Sequence, residues 1–595
     1  MSHVAAGTAA RAAGTDPQSS VASQTSAGYT PPRDGGRLLV EELLAHGVDA
    51  IFGLEGGHID PILHAAREAG MKMIDVRHEA VAGYAAEGYF RITGKPAVSL
   101  VTAGPGFANS LTGMAGAFLD RIPVLFVSGA APTREPEMNA LQGGFDQVAM
   151  ARPVTKWADR ATSIKVIGPM VRAALRAMFA GAPGPAFLEI PIDVVFGDGS
   201  CAPHPPPTKV GPPRTAPSPE AVSSALSLLE NAERPVILVG SGALVSGCSQ
   251  ELIHFAERIG APVYANVKAL GLMPGTHPLA CGSFITLARS SVSPDVVLIL
   301  GARHGMFMGG ASNDVIPADA RVIQVDVDHR EIGRIHPAHV PIVADCRETL
   351  AAFLRDRRHY PNRTQWTKEA AAETSWHEKR YAEALNDDGS DMHPYRVLRE
   401  MANFVDEKTV VIAEGGDAGA WAEVVLGPRA AGPGHYFGIG YFGNLGMHQG
   451  LAIGTQLARP DLRVICVTGD GSAGFQMQEL DTMVRHRLPI VTVVFNDRAW
   501  GMSRNYMINQ PRGSTWVDLG DNLRYDQVCE ACGGHGEFVT SSDQLPGALA
   551  RALKSGRTAC VNVFTRSAVS PKSEQYTRLG KMGEIVLPYY RDPDA

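Results

Sequence analysis

Short, continuous apolar runs alternate with helical periodicity along most of the chain. "AIFGL", "MKMIDVRH", "AVSLVTAG", "IPVLFVSGA" and "AFLEIPID" read as strands, set between helical segments such as "LLVEELLAHG" and "EAVAGYAAEGYFRITG". Runs of this length, apolar on both faces and spaced by helices, predict a parallel sheet covered on both sides. The pattern stops at "CAPHPPPTKVGPPRTAPSP", a proline-rich linker over 201–219 that cannot pair inside a sheet. It resumes with "PVILVGSG", "APVYANV", "VVLILGAR" and "RVIQVDVD". After a charged, helix-prone linker it resumes again with "TVVIAEGG", "RVICVTGDG", "PIVTVVFND" and "ACVNVF". The expected fold is α/β, with three doubly wound parallel-sheet domains at 34–200, 220–355 and 391–566, a second linker over 356–390 and a C-terminal tail over 567–595. Residues 1–33 are Ala, Ser, Thr and Gly with almost no large hydrophobes, which predicts a disordered tail. Its few arginines and scarce acids would also suit a weak organelle address.

Composition narrows the function. At 595 residues the chain exceeds one core, and a formal charge of −7 without a dense basic tract gives no footprint for nucleic acid. No run approaches the ~18 apolar residues of a membrane helix. Eight cysteines make no disulfide framework and no secretory signal is seen, so a reducing cytoplasm is the expected compartment. "CEAC", from Cys529 to Cys532, has metal or redox spacing but no second Cys/His pair nearby, and reads as helix packing. "GSGALVSG" after "PVILV" has the wrong glycine spacing for a dinucleotide loop and reads more naturally as a structural turn.

The chemistry is clearest in "RVICVTGDGSAGFQMQELDTMVRHRLPIVTVVFNDRAWG". One buried strand ends at Gly469-Asp470-Gly471 and the next at Asn496-Asp497, 27 residues after Asp470. Neighbouring parallel strands bring their carboxyl ends together at a ligand crevice. Glycines admit a phosphate to the backbone, a helix start offers N–H groups, and two aspartates supply the oxygen ligands that Mg²⁺ prefers. This stretch resembles the thiamin diphosphate motif. The resemblance implies a cofactor held between two domains, with a glutamate from the first at the aminopyrimidine ring. Glu79, in "VRHEAVAGYAAEGYFRITG", takes that place.

Over about residues 36–566 the chain is similar to the acetolactate synthase and pyruvate oxidase-like superfamily, and within it to benzaldehyde lyase and 2-hydroxyacyl-CoA lyase. The matching stretches are "FGLEGGHID", "RHEAVAGYAAEGY", "VTAGPGFANS", "LQGGFDQVAM", "TKWADR" and "VTGDGS". The resemblance places His58, Glu79 and Gln142 around the reactive carbon of the cofactor, and His58 as proton shuttle on a glycine turn. It assigns Gly469, Asp470, Gly471 and Ser472 to the diphosphate, and Asp470, Asp497 and Ala499 to Mg²⁺. Leu445 takes the place of the bulky residue that bends the cofactor. Acetolactate synthases have a small residue where His58 stands.

The implied activity is a lyase/carboligase that cleaves or forms a carbon–carbon bond in 2-hydroxy ketones or 2-hydroxyacyl-CoA thioesters. The alternative is an acetolactate synthase-like, decarboxylating synthase. The pocket residues expected from the resemblance are Leu54, Glu55, Gly57, Ile192, Ser503, Arg504 and Tyr506. Ile192 stands where benzaldehyde lyase has a tryptophan, Glu55 where it has a histidine and Asp497 where it has an asparagine. Glu55 reads equally as a solvated turn residue, and Arg504 as a surface cation or an anion holder. Lys572, Arg578 and Lys581 would suit a lid over a phosphate-bearing carrier such as coenzyme A. The family implies a homodimer at least and usually a homotetramer; FAD or ADP in the central domain is left open without being expected.

Overall fold

The computed structural model describes residues 33–134, 140–205, 214–310, 312–387, 389–507 and 516–579, with the pairs 581–582 and 585–586. Three six-stranded sheets follow one another along it. The first comprises β1 (Ala50–Gly53), β2 (Lys72–Asp75), β3 (Val98–Val101), β4 (Leu125–Ala130), β5 (Trp157–Arg160) and β6 (Ala186–Pro191) in the order β2-β1-β3-β4-β6-β5. Every pairing is parallel. The second comprises β7 (Pro235–Val239), β8 (Val263–Ala265), β9 (Ala280–Ser283), β10 (Val296–Leu300), β11 (Arg321–Asp326) and β12 (Val340–Val343) in the order β12-β11-β10-β7-β8-β9. The third comprises β13 (Thr409–Ala413), β14 (Tyr436–Gly438), β15 (Arg463–Gly469), β16 (Val491–Asn496), β17 (His535–Val539) and β18 (Ala559–Phe564) in the order β14-β13-β15-β16-β18-β17. The outer domains therefore share one topology. The central sheet has the doubly wound order of dinucleotide-binding folds.

Between β7 and β10, where the winding reverses, a cavity of about 470 Å³ opens, lined in part by Gly242, Gly301, Arg303 and Asp326. The first two "GSGALVSG" glycines, Gly240 and Gly242, pack backbone on backbone there: a Cβ on Gly240 would stand 2.4 Å from the Ala302 Cα. The 356–390 segment is anchored rather than loose. Arg363 donates to the carbonyls of Leu229, Ala232 and Ile259, and Trp366 Nε1 to that of Pro235. Cys529 is packed in the core on helix Tyr525–Ala531, and no group of three metal-ligating side chains occurs among the described residues. No described helix is long and apolar enough to cross a membrane.

The first and third domains share a core. Helix Glu79–Thr93, here α1, lies directly on helix Met447–Ala458, here α2. Glycines make this crossing: a Cβ on Gly454 would stand 1.9 Å from the Ala85 carbonyl oxygen, and one on Gly88 2.2 Å from that of Leu451. Neither backbone can retreat, because both helices are buried nearly along their whole length. Gly454→Ala should therefore destabilise the protein by about 1–3 kcal/mol or more, read as a lower melting temperature. Gly547→Ala, on an exposed helix position, should leave it unchanged or raise it.

Candidate active site

The carboxyl ends of β1, β3 and β4 carry one half of the site. The ladder continues from β1 into the turn, with the Leu54 N–H donating to the Leu100 carbonyl. Leu54 and His58 are half-buried, and Glu55 and Gly57 exposed. Gly129 on β4 leaves the space that His58 fills; a Cβ there would lie 2.4 Å from the His58 Cβ. Thr102, just past β3, lies between His58 and Gln142: its Oγ1 is 3.3 Å from His58 Nδ1 and 3.4 Å from Gln142 Oε1. Burial lowers the His58 pKa from its ordinary value, so the ring is neutral at neutral pH. Gln142 is held at a φ of 64°, a conformation L side chains seldom adopt. Ile192 opens the short helix Ile192–Val195 after β6 and is half-buried.

Glu79 begins α1, where the preceding His78 caps the helix by accepting from the Ala80 N–H. Its side chain is 7% exposed, and Asn109 Nδ2 donates to its Oε2 at 2.9 Å. Asn109 belongs to helix Pro105–Asp120, whose start also carries Gly104, packed against Gln142. Thr102 and Asn109 were not singled out from sequence, although both lie in "VTAGPGFANS".

The other half is a cavity of about 190 Å³ in the third domain. Gly469, Asp470, Gly471, Ser472, Leu445, Asp497, Ala499 and Ser503 all line it. Asp470 Oδ1 accepts from the Gly471 N–H and Oδ2 from the Ala499 N–H. Burial, and then the charge of Asp497, push the Asp470 pKa up to about 7; burial also raises that of Asp497. Two neighbouring carboxylates, Asp470 buried and Asp497 half-buried, that oppose each other's ionisation form a donor set suited to a divalent cation. Helix Asp417–Val425 and helix Asp470–Ala473 both begin at this cavity.

Two carboxylates at this cavity, Glu414 and Asp417, carried no signal in the sequence. Glu414 Oε1 accepts from His448 Nδ1, Thr468 Oγ1, Ser472 Oγ and the Gly446 N–H. The Ser472 hydroxyl thus points into the protein. Asp417 accepts from Asn505 Nδ2, the Ser570 N–H and Ser573 Oγ, which fixes the C-terminal segment as part of the cavity wall. Lys572, considered as a carrier-binding lid cation, is instead buried and donates to Glu423 at 2.9 Å; a lysine held inside that pair is not presented to a ligand. Arg504 pairs with Asp518 and reaches the Asp497 carbonyl. The side chains of Tyr506, Arg578 and Lys581 lie outside the described residues.

The two halves remain apart within one chain. No described residue of the first domain lines the third-domain cavity. Exposed apolar side chains flank each half: Leu141 and Phe145 beside Gln142, Phe442 and Phe475 beside Leu445.

Comparison with known proteins places names beside this geometry. Three family models match: the thiamine pyrophosphate enzyme N-terminal TPP binding domain over residues 33–150, the central domain over 222–353 and the C-terminal TPP binding domain over 414–563. The chain is 35% identical over 545 residues to the acetolactate synthase large subunit IlvG of Mycobacterium tuberculosis, covering 90% of this chain and 96% of that one. It is 30% identical over 585 residues to 2-hydroxyacyl-CoA lyase 2 of Caenorhabditis elegans, with 89% of each covered. Oxalyl-CoA decarboxylase of Escherichia coli is 28% identical over 559 residues, covering 92% and 97%.

Proposed function

The chain belongs to the thiamine pyrophosphate enzyme family, and on that basis we propose that it is a lyase acting on 2-hydroxyacyl-CoA thioesters or 2-hydroxy ketones, releasing an aldehyde or ketone. The single observation that carries this reading is His58, joined through Thr102 to Gln142 on the rim that also bears Glu79. The relatives' names divide between synthase, lyase and decarboxylase and do not decide; those naming coenzyme A support a thioester substrate.

Glu79 would hold the aminopyrimidine ring, Leu445 would support the cofactor from below, and Gly469 to Ser472 would hold the diphosphate. Asp470, Asp497 and the Ala499 carbonyl would hold Mg²⁺, whose charge would allow both carboxylates to ionise. When bound, thiamin diphosphate supplies a carbon nucleophile for carbonyl addition. The hydroxyl-bearing carbon of the substrate can depart as a carbonyl only if its O–H proton is taken. A neutral His58 takes that proton and later returns one to the product.

A second copy of the chain completes the site in this reading, because each chain holds its two halves apart and borders each with exposed apolar side chains. The test is product analysis with 2-hydroxyisobutyryl-CoA and with benzoin. Carbonyl release lost in His58→Ala supports the proposal; release undiminished in that variant contradicts it.

A further inference from the structure

His58 can serve as a base through only one of its ring nitrogens, and which one depends on where its single proton sits. The polar neighbours decide this. In the orientation the Gln142 amide takes here, its carbonyl oxygen faces the Thr102 hydroxyl at 3.4 Å and can only accept, so the hydroxyl is the donor. With its proton directed at Gln142, Thr102 Oγ1 offers only lone pairs to His58 Nδ1 at 3.3 Å. Nδ1 must then carry the hydrogen.

Close backbone packing seats all three side chains. A Cβ on Gly56 would stand 2.4 Å from the Thr102 Cβ, so the turn bearing His58 rests on Thr102 itself. Gly129 seats the base of the histidine, and Gln142 is held at its left-handed φ with Gly104 behind it, where a Cβ would stand 2.9 Å from the Gln142 Cβ. Such a conformation persists only where its surroundings impose it.

We propose that Thr102 is a positioning residue that fixes His58 as the Nδ1–H tautomer, leaving Nε2 as the base that faces substrate. This rests on the lyase reading and deepens it: Gln142 acts on His58 through Thr102. The proton balance closes. The substrate O–H proton moves to Nε2, giving an imidazolium whose Nδ1–H is still accepted by Thr102 Oγ1, and Nε2 later returns a proton to the departing product. Nothing is oxidised or reduced.

Two measurements test it on the holoenzyme. Neutron diffraction from deuterium-exchanged crystals should place the deuteron on Nδ1; a deuteron on Nε2 alone would overturn the proposal whatever the substrate. In kinetics, Thr102→Val should lower the pH-independent plateau of kcat by about tenfold or more, because loss of the tautomer removes general-base catalysis. KM should stay within about threefold, since the hydroxyl is assigned no role in substrate binding. Thr102→Ser should restore the plateau. A Val variant as active as the parent, or a Ser variant as impaired as Val, would refute the relay. If the parent protein cleaves no 2-hydroxy substrate, the lyase reading fails, and the neutron measurement still decides the tautomer.

Discussion

Glu79→Gln is expected to lower cleavage by about 10²–10⁴-fold, the range for loss of a positioned acid–base group, while fold and cofactor binding persist. The substitution is conservative in shape: the side chain is 7% exposed, and the amide oxygen can still accept from Asn109. It removes the one property the site requires, a carboxyl that can carry or release a proton at the aminopyrimidine ring. Steady-state rates at saturating thiamin diphosphate and Mg²⁺, with a thermal melt as control, measure both parts. A variant that turns over at the parent rate would remove Glu79 from the mechanism.

The second large effect is a recovery. Chains carrying Glu79→Gln and chains carrying Asp470→Asn should each be inactive alone, yet regain activity when co-expressed and purified as mixed dimers. The first-domain half and the third-domain cavity are separate within one chain. In a two-fold dimer each site would take Glu79 from one copy and Asp470 from the other. One of the two sites in the mixed dimer is then wholly intact, so about half the parent activity should return. No recovery would mean that each chain assembles its site alone.

What could be read from the sequence was what leaves a local pattern. Buried parallel strands appear as unbroken apolar runs, and β7, β10, β15 and β16 were all visible that way. Asp470 and Asp497 stand out in the sequence because glycines and strand ends mark them, and both line the third-domain cavity; Glu79 was reached through the family resemblance, and the structure shows it buried at the start of α1. Thr102, Asn109, Glu414 and Asp417 were not legible, because their roles come from partners that only the topology delivers. Glu414 meets His448 and Ser472 from later elements, and Thr102 meets His58 from one side and Gln142 from the other. The anchoring of the 356–390 segment was hidden for a related reason. Its charge and helix propensity do not reveal that Arg363 caps backbone carbonyls and that Trp366 is buried in the central core. Lys572 looked like a free cation because nothing in "SPKSEQYTRLG" reveals Glu423.

The most direct measurement of the central claim offers the purified protein, with thiamin diphosphate and Mg²⁺, 2-hydroxyisobutyryl-CoA, benzoin and pyruvate in separate reactions, and identifies every product by mass spectrometry. The account predicts a ketone or aldehyde from a 2-hydroxylated substrate without carbon dioxide, and its loss in His58→Ala. Carbon dioxide and acetolactate from pyruvate, with both hydroxylated substrates untouched, would contradict it and make this chain a synthase.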